Sequence, residues 1–122
     1  MGQRADFMLL ATTTPDYPCP ATVSDVACRL GLGQVPAVDV AAVCSGFLYG
    51  LDLARASVET GTYARPLVIG AEVYTSIIDP LDRTTSVVCA DGAGAVLCGV
   101  DTAVVPASSR RSTWAATEPV AT

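Results

Sequence analysis

DVAAVCSGFLYG, residues 39–50, decides how the chain folds. It overlaps VPAVDVAAV (35–43), a run rich in β-branched residues and apolar except at Asp39, which is the pattern of a strand covered on both faces in the middle of a parallel sheet. From Ser45 to about Thr60, Phe47, Leu48, Leu51, Ala54, Ala56 and Val58 interleave with Asp52, Arg55 and Glu59 before Gly61, which predicts a helix of about four turns. Cys44 therefore stands where a strand passes into a helix.

The flanking segments extend this alternation. DFMLLAT (6–12) reads as a strand stopped by the prolines and Asp16 of TTPDYPCP. In ATVSDVACRLGLG, Val23, Val26, Ala27 and Leu30 recur at helical spacing, and Gly31 or Gly33 supplies the stop. PLVIGAEV (66–73) is a third apolar strand, and IIDPLDRTT (77–85) is a polar loop with a turn at Asp79-Pro80. SVVCADGAGAVLCGV (86–100) reads as two apolar arms around a glycine-containing turn. Strands alternating with helices predict an α/β fold, a mixed sheet flanked by helices. Residues 1–105 form one domain on this reading, and 106–122, rich in small and hydroxyl side chains, form a disordered tail.

Composition narrows the function. A hydrophobic fraction of 51% in 122 residues predicts apolar surface that needs a partner chain or a missing neighbour. A net charge of −5, with Arg110 and Arg111 the one basic cluster, argues against nucleic acid and anionic lipid. No apolar run reaches the roughly eighteen residues of a membrane span, and FMLLA after Asp6 is too short for a targeting segment, so the expected location is the cytoplasm. The five cysteines form no CxxC and the chain has no histidine, which argues against a zinc site or a redox dithiol and predicts free thiols.

At the start of a helix, unpaired backbone N–H groups and the helix dipole favour an anion, and the thiolate of Cys44 is such an anion. Ser45 and Gly46 add little bulk, so an acyl group could approach closely. The competing reading makes Cys44 a small buried hydrophobe that closes a strand–helix turn. ADGAGA (90–95) lacks the Walker pattern and the full dinucleotide fingerprint, and reads as a tight turn where two backbones approach.

Taken in order, DFMLLATTTPD (6–16), LGL (30–32), VDVAAVCSGFLYGLDLA (38–54), PLVIGAEV (66–73), DPLDRTT (79–85) and DGAGAVL (91–97) resemble the β-ketoacyl-acyl-carrier-protein synthase III family of the thiolase-like superfamily. The resemblance implies about one half of that superfamily's duplicated α/β/α fold. It implies that Cys44 takes an acyl group from acyl-CoA, its own backbone N–H serving as one oxyanion donor. The acyl-enzyme then condenses with malonyl carrier protein as CO₂ leaves, in fatty-acid initiation or polyketide priming. Ser45, Gly46, Phe47, Asp91, Gly92, Ala93 and Gly94 become substrate-binding candidates, and Cys19 falls where bulkier residues limit acyl length. The implied partners are acyl-CoA as substrate, acyl carrier protein, and a second copy or a full-length relative as dimer mate. No permanently bound cofactor and no metal are implied.

The chain departs from the family's pattern in three ways. Histidine and asparagine, which the family uses to stabilise the enolate and activate the malonyl carbonyl, are both missing from its composition. Cys89-Ala90 replaces the aromatic-Gly pair usual before DGAGA. At about one-third of a usual synthase, the chain is expected to be an internal fragment or truncated member, inactive in condensation by itself. The alternatives are a non-catalytic remnant or dimerisation module that binds a full-length relative, and a condensing enzyme of the chalcone-synthase or hydroxymethylglutaryl-CoA-synthase kind.

Overall fold

In the computed structural model, which describes residues 4–100, a four-stranded sheet has the spatial order β2-β1-β3-β4. The strands are β1 (Phe7–Ala11), β2 (Ala37–Val40), β3 (Pro66–Glu72) and β4 (Gly92–Leu97). β1 pairs in parallel with β2 on one side and β3 on the other, and β4 runs antiparallel to β3. The sheet is mixed and flanked by helices, as expected. Helix α1 (Thr22–Arg29) joins β1 to β2, and α2 (Gly46–Glu59) joins β2 to β3. Parallel crossovers are right-handed, and the second runs back across β1 in the opposite direction to the first. The two helices are thereby placed on opposite faces of the sheet.

The core divides accordingly. Met8 and Leu10 meet Val23 and Ala27 of α1, while Leu9 and Val68 meet Ala54 of α2 with Phe47 and Leu51 beside it. The alternation of strand side chains sends residues 8 and 10 to one layer and residue 9 to the other. β1 thus feeds both cores, and Met8 and Leu9 are fully buried.

Both helices end on a glycine in the left-handed region, Gly31 at φ 66° and Gly61 at φ 72°. Leu32 N donates to Ala27 O and Thr62 N to Ser57 O, closing the last turn of each helix in a Schellman motif. At the start of α1 the cap comes from a neighbouring strand. Ala21, the residue before the helix, has no side chain that could cap it. The Asp39 carboxylate of β2 accepts instead from Thr22 N at 2.8 Å and Val23 N at 3.0 Å.

Two expectations are corrected. β2 lies at an edge of the sheet among the described residues, whereas β1 and β3 are the inner strands. A β-branched run reports apolar contact on both faces, but it cannot report how many strands lie to either side. Residues 86–100 are not two arms about a turn. Gly92–Leu97 is one strand, with Gly94 opposite Gly70 and Ala93 opposite Ala71. Glycines in a strand mark close approach as readily as a turn, and here a Cβ at Gly70 would lie 3.2 Å from Phe47 Cδ2. The segment 106–122 lies outside the described residues.

Asp39→Ala removes the only side-chain acceptor at the start of α1 among the described residues. Loss of a helix cap of this kind costs about 1–2 kcal/mol, so the urea midpoint should fall, with Asp39→Asn intermediate. An unchanged midpoint in the alanine variant would mean that water caps α1 equally well.

Candidate active site

The site is built where β2 ends and α2 begins. Val43–Ser45 forms a single 3₁₀ turn, and α2 starts at Gly46, so Cys44 lies two residues before the α-helix. The chain reverses sharply there because Val43 adopts φ +49°. For a β-branched residue this left-handed conformation is an outlier that stores about 1–3 kcal/mol of strain. Seating of the following glycines holds the strained turn in place. A Cβ at Gly46 would sit 3.2 Å from Ala11 Cβ and 3.4 Å from Val40 O, and one at Gly50 would sit 3.0 Å from Val68 Cγ1. Ala54, one turn further on, is fully buried. This small-residue stripe lets α2 lie directly on the sheet while Cys44, at its mouth, stays exposed. Among the described residues Cys44 is exposed, where the competing reading has it buried.

Cys44 opens onto a cleft of about 470 Å³ at the carboxyl ends of β1 and β3. Connections leave β1 for one face of the sheet and β2 for the other, and a crevice forms at such a switch point. Ala11, Phe47, Gly70, Ala71 and Ala93 give the cleft mostly apolar walls.

Of the residues singled out from the sequence, Cys44, Phe47, Gly92, Ala93 and Gly94 meet in this cleft. Ser45, Gly46, Cys19 and Asp91 are not among its lining. Gly46 is small for helix–sheet packing, since its missing Cβ points at Ala11. Cys19 is exposed on the loop between β1 and α1. Asp91 pins a loop: its carboxylate accepts from Thr75 N at 2.9 Å and Thr75 Oγ1 at 2.6 Å, bonds that hold it below the usual aspartate range.

Sequence reasoning passed over Glu72, the last residue of β3, which borders the cleft. Its carboxylate accepts from Thr13 N at 2.9 Å, Thr13 Oγ1 at 2.9 Å, Thr14 Oγ1 at 2.8 Å and, more weakly, Thr12 Oγ1 at 3.4 Å. Thr14 Oγ1 in turn accepts from Val73 N at 2.8 Å. The network ties the exit of β1 to the exit of β3 and fixes the cleft's rim. A lone carboxylate closing an apolar strand, and three consecutive threonines after another, were the signals available. Burial raises the Glu72 pKa, but the bonds from Thr14, Thr13 and Thr12 together outweigh it, and the group stands below its ordinary value.

A carboxyl with a lowered folded pKa stabilises the fold fully above its unfolded value, and that contribution is lost as pH falls through the folded value. Glu72→Gln removes charged acceptors worth about 1–3 kcal/mol. Wild type should be the more stable at neutral pH, and the two should converge below about pH 4, as read by urea midpoints across pH. Parallel curves would remove the carboxylate from the account.

Comparison with known proteins agrees with this geometry. The solved β-ketoacyl-[acyl carrier protein] synthase III from Thermus thermophilus superimposes with a TM-score of 0.75 at 41% identity, over 81% of this chain and 31% of that one. The priming β-ketosynthase of the R1128 polyketide pathway superimposes with a TM-score of 0.74 at 33% identity, over 77% of this chain and 28% of that one. The fold is therefore thiolase-like, one portion of a larger condensing-enzyme architecture. The family model for 3-oxoacyl-[acyl-carrier-protein] synthase III matches residues 38–112, and the chain belongs to that family. A Streptomyces coelicolor β-ketoacyl-[acyl-carrier-protein] synthase III is 64% identical over 105 residues, and this chain covers 32% of it. The chain thus spans about a third of the length of the relatives it matches.

Proposed function

We propose that Cys44 is the acyl-accepting nucleophile of a ketosynthase III-type reaction. The observation that carries this reading is an exposed thiol at the start of α2, opening onto an apolar cleft in a chain of this family. The Cys44 thiolate attacks the carbonyl carbon of an acyl-CoA, the carbon–sulfur bond to coenzyme A breaks, and CoA leaves as a thiol after taking a proton. A thioester on Cys44 remains. Phe47 and the glycine–alanine wall of β4 offer the acyl chain an apolar surface. The backbone N–H of Cys44 acts as one oxyanion donor, by analogy with the family. Condensation with malonyl carrier protein follows, with loss of CO₂, in fatty-acid initiation or polyketide priming. The chain's composition includes neither histidine nor asparagine. Acid–base groups contribute about 10²–10⁴ each, so this polypeptide by itself reaches only the acyl-loading stage.

Incubation with acetyl-CoA or butyryl-CoA followed by intact-mass measurement should show one acyl adduct, slow to form and absent from Cys44→Ala. If no adduct forms on Cys44 at any CoA thioester concentration, the loading step is lost as well.

A second reading, association with a full-length relative, is favoured by one feature. Leu48, Tyr49 and Leu53 stand exposed on the outer side of α2, where the opposite side already packs on the sheet. Leu53→Glu should leave the fold intact and weaken binding to a full-length synthase by at least about tenfold if this face is the contact, since a charged side chain must lose its water there. Sedimentation of the mixture reads the outcome.

A further inference from the structure

Cys44 is not the only thiol in the cleft. Cys89 lines it too, and is half-buried there. Spacing along the chain gives no hint of this, since 44 and 89 lie on either side of a whole helix and strand. We propose that Cys44 and Cys89 form a reversible redox pair, in which a hydroperoxide oxidises the cleft and closes it as an intramolecular disulfide. This goes beyond acyl transfer and does not depend on it.

The remaining thiols are placed differently. Cys28 is on α1, across the sheet from α2, and Cys19 is in the loop before it; neither lines the cleft. Cys98 is buried in the α2 core, and burial pushes its thiol up, so it stays protonated and slow to react. Cys44 is the exposed partner, and access is one requirement for attack on a peroxide. Cys89 suits the resolving role. It lies outside β4, in the turn-rich segment before that strand, where its N–H donates to Thr85 O and the neighbouring Val87 and Val88 are exposed. No sheet ladder holds that segment, so it can move to bring two sulfurs to bonding distance more readily than a strand residue could.

The chemistry balances in two steps. The Cys44 thiolate attacks one peroxide oxygen, the O–O bond breaks, and sulfenic acid forms as the other oxygen leaves as water or alcohol after taking a proton. The Cys89 sulfur then attacks the Cys44 sulfur, the S–O bond breaks, and the hydroxyl departs as water with the Cys89 proton. Two thiols are oxidised by two electrons, and one peroxide is reduced. A dithiol reductant reverses the bond by thiol–disulfide exchange. While it exists, no thiolate is available at position 44.

The test uses the full chain, treated with dilute hydrogen peroxide and digested with trypsin without reduction. Cleavage after arginine places Cys44 in peptide 30–55, Cys19 and Cys28 in 5–29, and Cys89 with Cys98 in 84–110. The expected product is monomeric, lighter by two hydrogen atoms, and joins 30–55 to 84–110. Cys89→Ser should lose that link and instead accumulate a dimedone-reactive sulfenic acid on Cys44, while Cys98→Ala should keep the link. A lasting sulfenic acid on Cys44 in the wild type, a link from 30–55 to 5–29, or a link that survives Cys89→Ser would each overturn the pair.

Discussion

The contact between α2 and the sheet is the constraint on which the rest of the structure depends. Gly46, Gly50 and Ala54 recur every four residues, and their near absence of side chain brings the helix down until it touches Ala11, Val40 and Val68. Helix packing is set by the surfaces that interlock, and here the interlocking surface is almost bare backbone. The close seat leaves no room between the end of β2 and the start of α2 for a relaxed connection. The chain resolves this with one strained residue, Val43, and the strain is held by the buried seat of Gly46 and Gly50 on its helix side. Cys44 inherits its exposed position from that compromise.

The cleft in front of Cys44 follows from the same economy of side chains. Gly70 gives way to Phe47, and Gly94 faces Gly70 across the β3–β4 ladder. Where larger residues would have filled the crevice at the switch point, glycine and alanine leave it open. The rim needs a separate support, because small residues brace nothing. Glu72 and the three threonines after β1 supply it through a polar network whose members hold one another in place. An apolar floor, a polar rim and an exposed thiol thus come together at one end of the sheet.

Much of this was legible in the sequence, and the parts that were not share a cause. Strands β1 and β3 and both helices follow from local periodicity and from the glycines that end α1 and α2, signals carried within a few residues. Asp39 breaks an apolar strand for no local reason, and its role comes from α1, which presents Thr22 N and Val23 N to it. By sequence the β4 segment reads as a turn because glycine is permissive in both settings, and only a partner strand decides between them. Cys19 and Asp91, singled out by resemblance, turn away to a loop and to Thr75, whereas Glu72 was overlooked because its partners lie about sixty residues away.

From its order of residues alone, the chain determined its α/β class, the seam between strand and helix at Cys44, and its family, because hydrophobic period and motif order are local properties. Tertiary structure alone decided which strands lie inside, that the thiol faces outward, and which side chains share its cleft, Cys89 among them. Those outcomes depend on pairing and packing between segments far apart in sequence, and no local pattern encodes which distant surface a residue will meet.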